Sequence, residues 1–252
     1  MLKAVLFDLD DTLLDWSGFK SDWVTLESNH LSGVVEFIRS QGYPLDDIQA
    51  YTAEFRNRTT AAWTAARTSL RAPNLGTVLV ETAVALGVPA NALDMRQCLE
   101  AYRWGRVEGT TMFAEVPEVL RLLHDNGIKV GIVTNAYQPM WLRDIEIQLH
   151  GLLEFFPDCR ISAADAGYLK PHPAIFQAAL NCCGVKAEEA VFVGDDLEAD
   201  VAGAQAAGLQ AVLRISRRSR ALLGGTVVPD ASIKSLLELP PVLDSWFPGW
   251  RS

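Results

Sequence analysis

Short apolar segments alternate with amphipathic helical patterns along much of this 252-residue chain. The apolar segments are residues 3–8, 129–135, 159–163, 191–195 and 210–215. Helical patterns follow between the later segments, near 138–150, over 173–183 and over 198–207. Neighbouring parallel strands need a crossover connection, which is usually a helix. The alternation therefore predicts an α/β fold with a doubly wound parallel sheet and helices on both of its faces.

The segment between the first two strands, residues 17–108, has a different character. It contains no convincing strand, and its helical patterns lie at residues 32–42, 46–70 and 75–88. So much helix is more than a simple crossover needs. We therefore expect an α/β core domain formed by residues 1–16 and 109–252, and a small all-α domain formed by residues 17–108. The helical domain is expected over the carboxyl ends of the strands, where sheets of this kind bind ligands.

Charge and composition limit the partners of the chain. The formal net charge of −9 argues against nucleic acid, because phosphate backbones select basic surfaces. No segment approaches the roughly 18 apolar residues of a membrane helix, and no membrane partner is expected. The N-terminus MLKAVLFDLDD lacks the regions of a signal peptide, so a cytoplasmic location is expected. The aromatic tail SWFPGW is expected to dock on the core or to form a dimer contact, which leaves a monomer or a homodimer.

The first strand ends in Asp8-Leu9-Asp10, the first candidate for chemistry. Alternate side chains of an extended segment point the same way, so Asp8 and Asp10 could face one site. Two carboxylates this close repel each other unless a cation or a shared proton compensates. A hard divalent ion with oxygen ligands, Mg²⁺, fits that need. Taken alone, however, an Asp-x-Asp pair is more often a turn cap than a site.

Polar side chains also follow three later strands of the predicted sheet. These residues are Thr134 with Asn135, Lys170 in the loop GYLKPHP, and Asp195 with Asp196 and Asp200. Pro171 and Pro173 stiffen the loop of Lys170, which suits a positioned cation. Gly194 is expected to let the backbone approach a ligand closely. Carboxylates, a hydroxyl and an ammonium on four strand ends of one sheet suit phosphoryl transfer, in which positioning and charge neutralisation dominate.

With these motifs in place, the sequence resembles the haloacid dehalogenase superfamily of hydrolases. FDLDDT is similar to the first family motif, VTN to the second, the lysine of LKPHPAIF to the third and VGDDLEAD to the fourth. The resemblance covers residues 3–15 and about 112–235. It implies a Rossmann-like core, and the helical insert resembles the α-helical cap found after the first motif in many members. The implied activity is Mg²⁺-dependent hydrolysis of a small phosphorylated metabolite, a phosphomonoester.

The resemblance also implies a role for each motif residue. Asp8 would attack phosphorus and form an acyl phosphate, and Asp10 would protonate the leaving oxygen and then activate water. Lys170 would neutralise the charge of the phosphoryl group and of Asp8. Thr134 would hydrogen-bond the same phosphoryl group, and Asn135 is predicted to bind substrate beside it.

A metal site is implied by the same motifs. Asp8, Asp195 and the backbone carbonyl of Asp10 would bind Mg²⁺. Either Asp196 or Asp200 would support the metal-bound waters or orient the lysine of the third motif, and the acidic spacing leaves this choice open.

Other functions share parts of this pattern. Asp10 favours a phosphatase, because dehalogenating members resemble this chain but lack an acid at that position; a 2-haloacid dehalogenase and a phosphomutase remain the alternatives. In a different class, a non-catalytic phospho-acceptor such as a signalling receiver domain also has a parallel sheet, an Asp pair and a Lys. Its acceptor lies on a later strand, however, and Asp165 has no evident reason to be phosphorylated here.

The helical segment carries arginines and tryptophans that could set substrate specificity. They are Arg56, Arg58, Arg67, Arg71, Arg103, Arg106, Trp63 and Trp104. The pattern favours a solvated basic helix face with aromatics packed beneath it over the binding of a second anionic group. Hinges are expected near residues 14–18 and 108–113, where Gly18 and Gly109 can absorb backbone rotation.

Overall fold

A parallel β-sheet lies at the centre of the computed structural model, which describes residues 1–45, 47–157, 159–215 and 226–251. In chain order, the strands of the described residues are β1 (Ala4–Phe7), β2 (Leu14–Asp15), β3 (Thr111–Met112), β4 (Lys129–Thr134), β5 (Cys159–Ser162), β6 (Ala190–Gly194), β7 (Gln210–Arg214) and β8 (Ala231–Ile233). The sheet has the order β5-β4-β1-β6-β7-β8, and every pairing in it is parallel. From β1 the chain first builds one side of the sheet and then the other. The predicted doubly wound α/β fold is confirmed.

Helices connect the strands. Those described are α1 (Trp23–Ser40), α2 (Ile48–Ser69), α3 (Leu75–Ala85), α4 (Met95–Tyr102), α5 (Val116–Asp125), α6 (Met140–Leu149), α7 (Ala163–Ala166), α8 (Pro173–Cys183), α9 (Gly203–Ala206) and α10 (Leu239–Trp246). A π-helical segment, Leu197–Ala202, leads directly into α9. Short 3₁₀ turns lie at Leu153–Phe155, Ala187–Glu189 and Leu236–Glu238.

Both faces of the sheet are covered because the strands are apolar on both sides. On one face, Val5 and Phe7 of β1 belong to a buried cluster with Leu120 of α5. On the other face, Leu6 belongs to a second cluster with Phe176 of α8. The alternation of these side chains along β1 is the two-residue period of a strand. The carboxyl end of β1 is thereby fixed between two packed layers.

The segment between β2 and β3 is helical throughout its regular structure, with α1 to α4 in succession. Each of these helices begins after a polar N-cap residue that accepts a hydrogen bond from the backbone amide three residues later. The caps are Asp22, Asp47, Asn74 and Asp94. Such caps satisfy amides that the first helical turn leaves without partners. They explain why this stretch divides into separate helices where it does.

The two chain crossings into and out of this insert lie side by side. β2 and β3 pair antiparallel, with Leu14 opposite Met112 and Asp15 opposite Thr111. Next to this ribbon, Gly18 and Gly109 meet so closely that a Cβ on either would overlap the carbonyl oxygen of the other. The predicted division into residues 17–108 and the rest falls beside the ribbon. That division and the hinge motion stay predictions.

The end of the chain was not anticipated in detail from the sequence. β8 extends the sheet at its edge, and α10 follows it. Trp250 is buried, and its Nε1 donates a hydrogen bond to Asp244 Oδ1 at 2.7 Å. The aromatic tail therefore docks on the core, one of the two expected outcomes. Among the described helices, none combines the length and apolar character required to cross a membrane.

Candidate active site

The polar residues at the strand ends meet in one cavity of about 540 Å³. Asp8 follows β1, Thr134 ends β4, and Asp195 follows β6. Lys170 reaches the same place from the loop between α7 and α8. These elements belong to one parallel sheet, whose carboxyl ends share an edge. The convergence predicted from the strand ends is therefore present in the structure.

Lys170 lies between two carboxylates. Its Nζ is 2.6 Å from Asp8 Oδ1 and 2.6 Å from Asp200 Oδ1. All three side chains are buried, and charges attract more strongly where water is excluded. These contacts fix the orientation of the Asp8 carboxylate.

Negative charge is in excess around Asp8. The pKa of its carboxyl lies well above the ordinary value, chiefly because of burial, and the charge of Lys170 only partly offsets this. The carboxylates of Asp200, Asp195 and Asp10 raise it further. For Lys170, burial would lower the pKa of the ammonium, but Asp200 and Asp8 outweigh it and the pKa is raised. One protonated lysine does not balance these carboxylates, and a further cation would stabilise the site.

A cluster of carboxylates is arranged to hold such a cation. Asp8, Asp195 and Asp200 each offer one oxygen, and these oxygens lie within 4.8 Å of one another. Oxygen donors of this kind suit hard divalent cations. The Asp10 side chain is not part of this cluster, and the metal contact through its backbone carbonyl stays a prediction.

Asp196 and Asp200 have different contacts, although the sequence alone did not assign a separate role to each. Asp196 caps the π-helical segment, and its Oδ1 accepts hydrogen bonds from the amides of Glu198 and Ala199, each at 2.9 Å. Asp200 contacts Lys170, and its Oδ2 accepts a hydrogen bond from the Asp196 amide at 3.0 Å. Of the two, Asp200 is the residue placed to orient Lys170.

Gly194 allows a close approach by the Asp200 side chain. A Cβ at this position would overlap the carboxylate of Asp200. The expected close approach of the Gly194 backbone to a ligand stays a prediction. Glycine is needed here because the Asp200 side chain packs against the end of β6 on its way to Lys170.

Thr134 and Asn135 both line the cavity. Thr134 is buried at the end of β4. Asn135 is engaged with the loop of the third motif: its Oδ1 accepts from the Lys170 amide at 2.7 Å, and its Nδ2 donates to the Lys170 carbonyl at 3.2 Å. Asn135 thus positions Lys170. The predicted contact of Asn135 with substrate stays a prediction.

Asp10 is held by two residues that the sequence reasoning missed. Arg143 Nη2 donates to Asp10 Oδ1 at 2.8 Å and to Oδ2 at 3.1 Å, and Trp16 Nε1 donates to Oδ1 at 2.8 Å. Arg143 is buried in α6 and lines the cavity. One signal was available: Arg143 lies three residues after Met140 and four before Ile147, on the buried face of its helix. A charged residue on such a face needs a partner.

The contacts continue from Arg143 toward the connection between α4 and β3. Arg143 Nη1 is 3.2 Å from Glu146 Oε2, and Trp104 Nε1 donates to the same oxygen at 2.8 Å. Burial raises the pKa of Glu146 to about 7, although the charge of Arg143 acts in the opposite direction. The network therefore joins Asp10 to Trp104, a residue on the returning crossing from the helical insert.

A tight turn presents Asp10 to these partners. Asp11 has a φ of 62°, in the left-handed region that aspartate tolerates better than most residues. The amides of Leu13 and Leu14 both donate to the Leu9 carbonyl at 2.9 Å. The turn thus reverses the chain directly after Asp10 and leads into β2.

The helical insert forms the upper part of the cavity. Its lining residues are Trp23, Leu26 and Glu27 of α1, Thr59 and Trp63 of α2, Tyr102 of α4, and Trp104. Of the two tryptophans singled out in the sequence, both line the cavity, so they are not simply packed beneath a basic face. Within the described part of the chain, none of the six arginines named above lines it.

Comparisons with known proteins cover nearly the whole chain. The profile of the haloacid dehalogenase-like hydrolase family matches residues 2–208. N-acylneuraminate-9-phosphatase from Homo sapiens is 26% identical over 246 residues, which cover 97% of this chain and 94% of that protein. Ribulose-1,5-bisphosphate 5-phosphatase from Halopiger xanaduensis is 29% identical over 84% of each chain. The crystal structure of 2-haloacid dehalogenase from Pseudomonas syringae pv. Tomato DC3000 superposes with a TM-score of 0.65 at 27% identity, over 98% of this chain and 100% of that chain.

Proposed function

Because this chain belongs to the haloacid dehalogenase-like hydrolase family, we propose that it is a Mg²⁺-dependent phosphatase acting on a small phosphomonoester through a phosphoaspartyl intermediate on Asp8. The observation that carries the proposal is the carboxylate cluster of Asp8, Asp195 and Asp200, in which Asp8 and Asp200 contact the single ammonium of Lys170. Phosphatases among the relatives, which act on sugar phosphates by their names, support the same reaction class.

The charge of the site favours a phosphate ester over a haloacid. A phosphomonoester carries up to two negative charges on the group that Asp8 must attack, so the attack requires added positive charge. The cluster of Asp8, Asp195 and Asp200 can recruit it as Mg²⁺. Attack on the carbon of a 2-haloacid releases a halide ion, which needs neither a divalent cation nor a proton. The acidic cluster and the carboxylate of Asp10 therefore have a role in the hydrolysis of a phosphate ester that they lack in the hydrolysis of a haloacid.

In the proposed first step, an oxygen of Asp8 attacks phosphorus and the ester oxygen leaves with its electron pair. Asp10 gives that oxygen a proton, so the product is a neutral alcohol. Lys170 holds Asp8 in line at 2.6 Å and offsets the charge that develops on the phosphoryl oxygens. Thr134 lies at the same edge and hydrogen-bonds the transferred group.

In the second step, Asp10 removes a proton from water, the water oxygen attacks phosphorus, and the bond to Asp8 breaks to release inorganic phosphate. Arg143 and Trp16 hold the Asp10 carboxylate in one orientation for both proton transfers. Mg²⁺, when bound by the aspartates, would neutralise charge on the phosphoryl oxygens.

The proposal is tested by phosphate release from p-nitrophenyl phosphate and from a panel of phosphorylated metabolites. We expect turnover with Mg²⁺, reversible loss of turnover in excess chelator, and no turnover by Asp8→Asn, which removes the nucleophile but retains the size of the side chain. Full activity in chelator, or sizeable activity of Asp8→Asn, would contradict the proposal. A parallel assay with 2-chloropropionate measures halide release, and halide release without phosphatase activity would identify a dehalogenase instead.

A further inference from the structure

Six aromatic side chains line the cavity that contains Asp8 and Lys170. We call this surface the aromatic wall; it consists of Trp16, Trp23, Trp63, Tyr102, Trp104 and Tyr137. Trp16 and Trp23 are stacked with ring centroids 5.5 Å apart, and Trp63 lies 6.0 Å from Tyr137. A leaving group that stays in this cavity while its phosphoryl group reaches Asp8 can pack against these rings.

Two rings of the aromatic wall have their polar edges occupied within the protein. The indole Nε1 of Trp16 is bonded to Asp10, and that of Trp104 is bonded to Glu146. The donors of these two rings are therefore occupied within the protein. Ring surfaces of this kind bind the apolar faces of other rings and are poor partners for anions, since their π faces are negative.

Two polar side chains accompany the aromatic wall. Glu27 lies one helical turn after Trp23 on α1, and Thr59 lies one turn before Trp63 on α2. Thr59 Oγ1 is buried and has no hydrogen-bond partner among the residues described. Because protein atoms cover this oxygen, it is not exposed to a ligand in the cavity. Glu27 lines the cavity and offers a carboxylate to a donor on such a ligand.

The charge of the cavity disfavours a second anionic group. Seven carboxylates line it against two cationic side chains. Both cations are already paired, Lys170 with two aspartates and Arg143 with Asp10 and Glu146. Among the lining residues that come from the helices of the insert, the charged one is Glu27.

Arg56 pairs with Glu27 from outside the cavity and offsets part of its charge. Arg56 is directed at the outer side of α1, where it donates to Glu27 Oε2 at 3.0 Å, to the Val24 carbonyl at 3.1 Å and to Ser28 Oγ at 3.1 Å. It lines a separate surface groove with Ile48 and not the cavity. Arg56 thus holds Glu27 in place and is not available to a substrate.

Given the proposed phosphatase function, on which this inference rests, we propose that the leaving group is an uncharged, hydroxyl-bearing ring. Its flat face packs on the aromatic wall, and a hydroxyl group hydrogen-bonds Glu27. A sugar and a nucleoside share this chemistry. A cavity of about 540 Å³ is within the range that encloses a whole small ligand. Substrates with a second phosphate or a carboxylate on the leaving group are disfavoured.

The test is a comparison of kcat/KM within matched pairs in the presence of Mg²⁺. The pairs are fructose 6-phosphate with fructose 1,6-bisphosphate, and adenosine 5′-phosphate with adenosine 3′,5′-bisphosphate; glycerol 3-phosphate serves as a neutral substrate without a ring. We expect kcat/KM for the substrate with the neutral ring to exceed kcat/KM for its bisphosphate partner by at least about tenfold. Repulsion by one carboxylate in a partly screened cavity is of that size. The higher kcat/KM of fructose 6-phosphate or of adenosine 5′-phosphate identifies the ring as a sugar or a nucleoside.

Two matched variants test the residues themselves. Glu27→Gln removes the charge but not the size of the side chain, and we expect it to reduce the preference for the neutral partner several-fold. Glu81→Gln makes the same change on the outer side of α3, where Glu81 is exposed and faces Arg58, and the preference should not change. Trp63→Leu should raise KM for the ring substrate more than KM for glycerol 3-phosphate.

The outcomes separate this inference from the function on which it rests. Hydrolysis of p-nitrophenyl phosphate together with equal or better hydrolysis of the bisphosphates would overturn the inference and leave the phosphatase proposal standing. Equal kcat/KM for glycerol 3-phosphate and the best ring substrate would overturn the assignment of a ring. If no phosphate ester, including p-nitrophenyl phosphate, is hydrolysed with Mg²⁺, the phosphatase proposal fails and this inference fails with it.

Discussion

Arg143 binds both oxygens of Asp10 through one guanidinium nitrogen, at 2.8 Å and 3.1 Å. Trp16 donates to the same carboxylate from a second direction. As the proposed acid and base, Asp10 must direct an oxygen first at the leaving group and then at water. The planar, always charged guanidinium defines that orientation better than a flexible ammonium does.

Arg143→Lys therefore tests positioning rather than charge. We expect kcat to fall by about ten- to a hundredfold while KM changes little, because the interaction acts on proton transfer and not on substrate binding. Acid-quenched samples should contain more phosphoenzyme than the wild type, since the water step also depends on Asp10. Arg121→Lys is the control, because Arg121 is exposed on α5 and lies against the Phe155 ring. Unchanged kcat in Arg143→Lys would show that Asp10 needs no such clamp.

Two neighbouring aspartates offer a matched comparison. Asp200→Asn removes the charge that contacts Lys170, and we expect kcat to fall by roughly a hundredfold or more. Asp196→Asn changes an N-cap, and asparagine caps helices about as well as aspartate, so most of the activity should remain. Steady-state assays at saturating Mg²⁺ measure both. Similar losses in the two variants would contradict the separate roles.

Glu146 should make stability depend on pH. Its pKa is raised from 4.5 to about 7 in the folded protein. Between these two pH values the folded state therefore binds more protons than the unfolded state. The free energy of unfolding should therefore fall as pH rises through this interval, by at most about 3 kcal/mol. Glu146→Gln removes the titrating group. Urea unfolding of the metal-free protein measures this between about pH 5 and about pH 8. As pH rises, the variant should gain stability relative to the wild type. A difference in the free energy of unfolding that does not change with pH would contradict the raised pKa of Glu146.

The two crossings of the helical insert constrain each other at Gly18 and Gly109. Gly109 has a φ of 84° and a Cβ there would overlap the Gly18 carbonyl, whereas Gly42 has a φ of 86° and nothing near its Cβ position. Both Gly→Ala changes carry the backbone cost of about 1 kcal/mol in the left-handed region. We expect Gly109→Ala to cost distinctly more than Gly42→Ala in the free energy of unfolding. Equal costs would mean that the crossings separate easily.

The residues at the strand ends could be predicted because each apolar run that stops at a polar side chain marks an edge of a parallel sheet. Asp8, Lys170 and Asp195 meet for that reason. Short elements were harder: β8 has three residues at the sheet edge and α4 has eight, too few for a clear period. Elements this short were therefore not predicted from the sequence.

Contacts distant along the chain could not be predicted. Arg143 lies 133 residues from Asp10, and nothing in either local sequence identifies the other as its partner. The aromatic wall has the same origin, since its members come from three helices, two crossings and the loop after β4. Local patterns placed the catalytic candidates, but the surface that faces the leaving group required the folded chain.

The central claim is that Asp8 carries the phosphoryl group. The most direct measurement is the mass of Asp10→Asn after brief reaction with p-nitrophenyl phosphate and Mg²⁺, followed by acid quench and digestion. Nitrophenolate departs without a proton, so this variant should form the intermediate, but it lacks the base that activates water. The account predicts the added mass of one phosphoryl group on the peptide that contains Asp8, and none in Asp8→Asn. Turnover by the wild type with no phosphorylated peptide in Asp10→Asn, or with the phosphoryl group on another residue, would contradict it.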